Sequence, residues 1–194
     1  MAVGRIIYFD KPGPQNTEAV ARAVRERALE LGIEHVVAAS NTGTTALALW
    51  QELRDTPVAL IAVPEHYGFR GEDKQDLSDE QRGALEEKGI KVLICAHALS
   101  GVGRSISTKF GGISHVEIIA HTLRRFGGDG IKVGVEVSIM AADAGLVPTD
   151  REIIAVGGSG RGADSAIVLK AAHMNNFFDL DIREVIAKPR QRGS

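Results

Sequence analysis

Hydroxyl groups and a glycine are concentrated in residues 40–45, the 40–45 turn, whose sequence is Ser-Asn-Thr-Gly-Thr-Thr. The segment follows an apolar run of strand length and precedes a helical pattern. Its hydroxyls can donate hydrogen bonds, its glycine lets the backbone approach a ligand, and the first helical amides point to the same place. It therefore predicts a phosphate cradle, although the same residue types also cap ordinary strand–helix turns. The candidate binding residues are Ser40, Asn41, Thr42, Gly43, Thr44 and Thr45.

Residues 157–165, the 157–165 loop, read Gly-Gly-Ser-Gly-Arg-Gly-Ala-Asp-Ser. The loop joins two predicted strands, so it cannot be a dinucleotide-binding fingerprint, which must open a helix. A flexible backbone around one guanidinium suits closure over an anion, with Asp164 placed to hold Arg161 when the site is empty. A plain hairpin loop is the alternative. The candidate binding residues are Gly158, Ser159, Gly160, Arg161 and Gly162.

Aromatic side chains follow the third predicted strand in residues 65–71. A ring of Tyr67 or Phe69 would stack on a flat ligand, and His66 would donate to an oxygen atom. An aromatic loop packed on its own surface is an equally good interpretation. The candidates here are His66, Tyr67, Gly68 and Phe69.

Residues 97–112 follow the fourth predicted strand, and their composition predicts no regular structure. An irregular stretch of this length is uncommon in a compact domain and is usually functional or mobile. It concentrates two cations and a histidine at one strand end, which favours contact with an anion. The candidates are His97, Ser100, Arg104 and Lys109.

Two carboxylates, Glu136 and Asp143, are seven residues apart on a predicted helix and so share a face. They would serve as acid and base, or else lie in solvent or pair with Arg104 or Lys109. The spacing of the histidines does not suggest zinc, and no metal is expected.

The elements that position these segments alternate between strand-length apolar runs and helical patterns. Several strands are apolar throughout, which is typical of parallel strands buried on both faces. The predicted strands are residues 5–9, 35–39, 58–63, 92–96, 153–156, 166–170 and 182–186. The predicted helices are residues 17–31, a helix beginning near 42, and residues 78–89, 115–126 and 133–145.

Repeated strand–helix–strand units predict an α/β fold with three α/β/α layers and a mostly parallel, doubly wound sheet. Only nine residues separate the strands predicted at 153–156 and 166–170, too few for a crossover helix. These two should therefore be antiparallel, which places an antiparallel edge strand on the sheet.

The chain has 194 residues, which favours one domain spanning residues 1–194. Its formal net charge of −2 gives no basic field, so neither nucleic acid nor an anionic membrane surface is an expected partner. Cys95 is the only cysteine and lies in an apolar run, which predicts an inert buried thiol. No targeting or membrane-spanning pattern is present, so the cytoplasm is the expected location.

The order of these motifs resembles the carboxyl-terminal α/β domain of pyruvate kinase, and more closely its free-standing relatives that lack the rest of the enzyme. The resemblance runs from residue 16 to about 171 and is concentrated in the 40–45 turn and the 157–165 loop. In pyruvate kinase the matching turn holds a phosphate of a sugar bisphosphate activator, and the matching loop closes over it. This loop lacks the Trp and Pro of pyruvate kinase. The catalytic barrel is also missing, so no pyruvate kinase activity is expected.

The resemblance implies a ligand class, because stand-alone relatives look able to hold flavin mononucleotide (FMN). The FMN phosphate would lie on the 40–45 turn, and Tyr67 or Phe69 would contact the isoalloxazine. The leading hypothesis is therefore binding of a phosphorylated small molecule, either FMN or a phosphorylated metabolite, in a regulatory or carrier role.

Two alternatives remain open at the level of sequence. One is an enzyme, either a flavin-dependent oxidoreductase or one acting on a phosphorylated substrate, with His66, His97, Lys109 and Glu136 near one pocket. The other is a subunit of a larger assembly, and the sequence also leaves a homo-oligomer open.

Overall fold

A computed structural model describes residues 4–71 and 73–191, which form a sheet of seven strands in the order β1-β7-β6-β5-β2-β3-β4. The strands are β1 (Ile7–Phe9), β2 (His35–Ala39), β3 (Ala59–Val63), β4 (Lys91–Val92), β5 (Glu152–Gly157), β6 (Ser165–Lys170) and β7 (Asp181–Pro189). Neighbours are parallel from β5 through β2 and β3 to β4, and β1 is parallel to β7. The mostly parallel α/β sheet is confirmed.

The α-helices in the described residues are α1 (Thr17–Leu31), α2 (Thr44–Leu53), α3 (Asp79–Glu86), α4 (Val102–Phe110), α5 (His115–Phe126) and α6 (Asp129–Asp143). Local signals set several of their ends. Ser78 and Ser114 each open a helix with a complete capping box, and α1 ends at Gly32, whose φ of 66° is left-handed. The bounds predicted for α1 and α5 are confirmed.

Alternate residues of the central strands face two separate cores. Val36 and Ile154 pack with α1, α2 and α3 on one side of the sheet. Val37 and Ile153 pack with α5 and α6 on the other side. Strands buried on both faces carry apolar residues at successive positions, which explains the continuous apolar runs in the sequence.

The antiparallel strand β6 is an interior strand, which corrects its predicted place at the edge. It pairs antiparallel with β5 on one side and with β7 on the other. A short connection after β6 returns the chain as β7, and β1 then adds beyond β7. The edges of the described sheet are therefore the short strands β1 and β4, which present few free backbone groups.

Residues 97–112 contain helix α4, so the prediction of an irregular stretch was wrong. Glycines flank the helix: Gly101, with φ of 62°, precedes it, and Gly111, with φ of 78°, follows it. No residue of α4 is buried, and its apolar positions Val102 and Phe110 are about three-quarters exposed. The ladder of β4 is also shorter than predicted, since only Lys91 and Val92 pair with β3.

Helix α6 begins four residues earlier than the predicted helix, at Asp129 rather than residue 133. Gly130 in its first turn packs so closely on β5 that the Gly130 carbonyl oxygen would lie 2.1 Å from a Cβ added at Gly157. Two glycines at this contact allow the start of α6 to approach the carboxyl end of β5. Within residues 4–71 and 73–191, no helix is both long and apolar enough to cross a membrane.

Candidate functional site

A cavity of about 840 Å³ opens beyond the carboxyl ends of β2 and β3. This is the position at which open α/β sheets usually bind ligands. The predicted residues that border it are Ser40, Asn41, Thr42, Thr44, Thr45, Phe69, His97, Ser100, Arg104, Gly158, Gly160, Arg161 and Gly162. All four predicted segments are thus brought together.

A smaller cavity of about 390 Å³ adjoins the first, and Phe69, Ser100 and Arg104 border both. The other predicted residues on the smaller cavity are His66, Gly68 and Lys109. Gly43, Tyr67 and Ser159 are not among the residues that border either of these two cavities.

The 40–45 turn links β2 to α2 and is fixed from both ends. The Ser40 hydroxyl, which is buried, accepts a hydrogen bond from the Ala46 amide at 3.1 Å. The Asn41 side-chain oxygen accepts from the Glu65 amide at 3.1 Å, which ties the turn to the segment after β3. The side-chain oxygens of Ser40 and Asn41 therefore stabilise the turn.

The first turn of α2 is where the 40–45 turn offers donors to a ligand. The amides of Thr44 and Thr45 have no carbonyl acceptor within the helix, because they lie in its first turn. The exposed hydroxyls of Thr42 and Thr44 lie 3.1 Å apart, and both residues border the large cavity. Amide and hydroxyl donors thus converge at the positive end of a ten-residue helix.

Gly43 has a conformational role that differs from close approach to a ligand. Its φ of 82° is left-handed, so a side chain there would be strained. A Cβ would also lie 3.3 Å from Leu85 and 3.5 Å from Leu77, both of which are core residues. Gly43 therefore allows the turn to adopt its left-handed conformation while packing against the core.

The 157–165 loop is anchored by Asp164, which is completely buried. The Asp164 carboxylate accepts hydrogen bonds from the amides of Gly13 and Ser159, each at 3.1 Å, and from the Ser165 hydroxyl at 2.8 Å. It therefore holds two backbone amides and the Ser165 hydroxyl, and not Arg161, which corrects the partner predicted for it. Arg161 is exposed and borders the large cavity.

Helix α1 provides a second anchor for the same loop. The Thr17 hydroxyl accepts a hydrogen bond from the Ala163 amide at 3.0 Å. A Cβ on Gly162 would lie 2.5 Å from Pro14 and 2.6 Å from the Thr17 hydroxyl oxygen, so the loop passes directly against the start of α1 and the residues before it. These contacts leave the tip, Gly160 and Arg161, as the exposed part of the loop.

Three rings form a cluster where the two cavities meet. The centroids of His66 and His97, and of Phe69 and His97, are each 4.9 Å apart. Phe69 also lies under the Arg104 guanidinium, with 5.8 Å between the guanidinium carbon and the ring centroid. Burial lowers the pKa of His97, which favours a neutral ring at neutral pH. Tyr67 is 56% exposed and borders neither cavity, whereas Phe69 borders both.

An ion pair between Lys132 and Glu136 lines the large cavity, and sequence reasoning did not find it. Both residues are at most 5% exposed, and Lys132 Nζ lies 2.5 Å from Glu136 Oε2. The other carboxylate oxygen accepts a hydrogen bond from the Leu99 amide at 2.8 Å. Lys132 is thus the partner of Glu136, in place of the predicted Arg104 or Lys109. The available signal was the i,i+4 spacing of opposite charges within an otherwise apolar helix.

Asp143, the other predicted carboxylate of this helix, lies outside the large cavity. It accepts hydrogen bonds from the His173 ring and the Met174 amide, each at 3.1 Å. Glu136 and Asp143 therefore do not form an acid–base pair in the cavity.

Further charged residues border the large cavity without having been predicted. Arg70 pairs with Glu65 at 3.0 Å and with Asp76 at 3.2 Å. The remaining border residues that sequence reasoning missed include Thr17, Glu18, Arg124, Val133, Val137 and Met140. Among the residues that the structure describes, no cluster of three or more histidine, cysteine or acidic side chains could hold a metal ion.

The family profile described as the pyruvate kinase alpha/beta domain matches residues 18–169, most of the chain. The chain belongs to this family.

Solved pyruvate kinases are similar to the chain over part of their length. One structure of Cryptosporidium parvum pyruvate kinase is 16% identical, with 84% of this chain and 23% of that chain covered and a TM-score of 0.42. A complex of Cryptosporidium parvum pyruvate kinase with ADP is 19% identical, with 82% and 24% covered and a TM-score of 0.41. The chain thus spans about a quarter of the length of these pyruvate kinases.

The part of the chain that matches the pyruvate kinase α/β domain contains most of the site. Residues 18–169 include α2 with the 40–45 turn, the 157–165 loop and all of α6. The match excludes β1 and β7, the two strands that extend the sheet beyond β6.

Proposed function

We propose that this chain binds a phosphorylated small molecule whose phosphate lies on the 40–45 turn. The observation that carries the proposal is the convergence of the Thr42 and Thr44 hydroxyls with the first amides of α2 on a cavity of about 840 Å³. A phosphate at this point accepts from several donors and lies at the positive end of the helix dipole.

The size of the cavity favours a ligand much larger than a phosphate ion. Small-molecule sites usually enclose roughly 300–1,000 Å³. With the phosphate on the 40–45 turn, the rest of the ligand extends toward Phe69, His97 and α6. Arg161 enters from the tip of the 157–165 loop, and its guanidinium can fork two phosphate oxygens.

FMN is one phosphorylated ligand that fits these features. Phe69 and His97 border the cavity with ring centroids 4.9 Å apart, and they offer flat faces to an isoalloxazine. The proposal assigns this contact to Phe69, because Tyr67 borders neither cavity. A phosphorylated metabolite with a smaller apolar part is the other member of the class.

An enzyme that uses the same pocket is the second candidate, favoured by the Lys132–Glu136 pair and His97 on one cavity. Perturbed, buried ionisable groups in a cleft are typical of catalytic sites. Conversion of a bound phosphorylated compound, lost in a Glu136→Gln variant that still binds it, would establish this second candidate.

Calorimetric titration with FMN and riboflavin tests the leading proposal, because the two ligands differ only in the phosphate. Thr42→Ala combined with Thr44→Ala should weaken FMN binding by about tenfold or more and leave riboflavin binding unchanged. Glycerol 3-phosphate and glycerol form an equivalent pair for a smaller ligand. Thr122→Ala, at an exposed threonine of α5, is the matched control and should change neither affinity.

The outcomes separate the parts of the proposal. Unchanged FMN affinity in a folded double variant would overturn the assignment of the phosphate to the 40–45 turn. Equal affinities for the phosphorylated and dephosphorylated member of both pairs would overturn phosphate recognition itself. Binding of glycerol 3-phosphate without binding of FMN would exclude the flavin and leave the phosphorylated metabolite.

A further inference from the structure

The wall of the large cavity formed by α6 carries a charge pair that the phosphate site does not use. Lys132 and Glu136 are buried, and the distance between Nζ and Oε2 is 2.5 Å. Burying an ion pair costs desolvation, and an apolar pair would often stabilise a helix at least as well. Ionised groups retained in the wall of a cleft are a feature of ligand-binding sites.

Two arginines add positive charge to the same wall. Arg104 and Arg124 border the cavity together with Lys132. Burial is the main cause that lowers the pKa of Lys132, and the charges of Arg124 and Arg104 lower that pKa further. Both arginines therefore lie close enough to Lys132 to act on its ammonium group.

Carboxylates offset much of the positive charge of this wall. Arg124 pairs with Asp129 at 2.9 Å, and Lys132 pairs with Glu136. Arg104 forms no ion pair within residues 4–71 and 73–191, and its guanidinium lies over the Phe69 ring. Hydrogen bonds with Ser107 and Ser114 lower the pKa of Glu117, and the Arg104 charge lowers it further, so Glu117 offsets part of the positive charge at Arg104. The excess of positive charge in this wall is therefore small.

We propose that Lys132, Arg104 and Arg124 bind a second anionic group of the ligand, a carboxylate, so that the ligand class is phosphorylated carboxylic acids. This inference rests on the proposed function, because the phosphate occupies the 40–45 turn. A small excess of positive charge matches one singly charged carboxylate better than a second, doubly charged phosphate. The planar Arg104 guanidinium is the group that would fork the two carboxylate oxygens.

Titration of the whole chain with 3-phosphoglycerate and with glycerol 3-phosphate tests the inference. The two probes share a phosphate and a three-carbon frame, and the first has a carboxylate where the second has a hydroxymethyl group. The wild-type chain should bind 3-phosphoglycerate about tenfold more tightly or better. Arg104→Gln should bring the ratio of affinities close to one while leaving glycerol 3-phosphate binding unchanged.

A second variant and a control make the assignment specific to the wall. Lys132→Met combined with Glu136→Gln removes both charges of the buried pair and keeps an acceptor for the Leu99 amide. It should also reduce the preference for 3-phosphoglycerate. Arg125→Gln removes an exposed arginine next to Arg124 and should leave the preference intact.

Each outcome decides a separate claim. Equal affinities of the wild-type chain for the two phosphorylated probes would overturn the carboxylate site and leave phosphate binding standing. Binding of glycerate as tight as that of 3-phosphoglycerate would support the cationic wall and overturn the phosphate site. Failure of both probes to bind would overturn the carboxylate site, and the titration with FMN would then test the phosphate site by itself. A preference that survives Arg104→Gln would overturn the assignment to this wall.

Discussion

The buried Lys132–Glu136 pair makes a quantitative prediction about stability. Lys132→Met replaces the ammonium with an apolar side chain of similar length and leaves the Glu136 carboxylate buried without its cation. Breaking one half of a buried ion pair typically costs about 3–5 kcal/mol. For a chain of this size the corresponding drop in Tm is roughly 6–20 °C.

Completing the double-mutant cycle distinguishes loss of the pair from loss of packing. Glu136→Gln in the Lys132→Met background removes the stranded charge, and the amide oxygen can still accept from the Leu99 amide. The double variant should therefore recover most of the lost free energy of unfolding. Chemical denaturation of the wild type, both single variants and the double variant measures the coupling energy directly.

A surface pair provides the matched control for this cycle. Arg82 and Glu86 have the same i,i+4 spacing on α3, at 2.8 Å, but both side chains are almost half exposed. Arg82→Met should change the free energy of unfolding far less than Lys132→Met, because water solvates the remaining Glu86 carboxylate. Equal losses for Lys132→Met and Arg82→Met, or no recovery in the double variant, would refute the reasoning.

Three other predictions concern the 157–165 loop and His97. Arg161→Lys should weaken FMN binding and leave riboflavin binding unchanged, because an ammonium group cannot form paired hydrogen bonds to two phosphate oxygens. Equal calorimetric losses for both ligands would show that Arg161 does not contact the phosphate. Amide hydrogen exchange at the loop tip, residues 160–161, should slow with saturating glycerol 3-phosphate, and unchanged rates would contradict closure over the ligand. Burial lowers the pKa of His97 in the folded chain, so its contribution to stability is complete above pH of about 6.5 and declines as pH falls below that value. His97→Gln should therefore flatten the acid side of a denaturation pH profile, whereas the same change at the exposed His121 should not.

The order of elements could be predicted because local signals and topology agreed. The apolar runs of β2 and β5 are long enough to identify buried strands, and the nine-residue spacing before β6 forces an antiparallel pair. The interior place of β6 depends on the pairing of β7 and β1, which involves residues far apart in sequence. No local sequence pattern predicts such a pairing.

Helix α4 was missed because glycine and serine dominate the sequence around it. Val102, Ile106 and Phe110 have the i,i+4,i+8 spacing of one helical face, but three positions in a short segment are a weak signal. Because these side chains are exposed, α4 also lacks the buried apolar face that usually stabilises an amphipathic helix.

Polar partners in the site were the least predictable feature. Asp164 is three residues from Arg161, which suggested an ion pair, yet backbone amides of Gly13 and Ser159 reach its carboxylate instead. Lys132 resembles a surface lysine in sequence, and only the fold shows that its ammonium lies in a cavity wall. Such contacts depend on where distant segments meet and not on composition.

The location of the phosphate is tested most directly by a two-dimensional ¹H–¹⁵N titration of the whole chain with inorganic phosphate and glycerol 3-phosphate. The proposed site predicts that the backbone amides of Thr44 and Thr45 shift most, because hydrogen bonds from these amides to phosphate change their shielding. Shifts confined to residues of the smaller cavity, such as Lys109, with Thr44 and Thr45 unaffected, would contradict the phosphate site on the 40–45 turn.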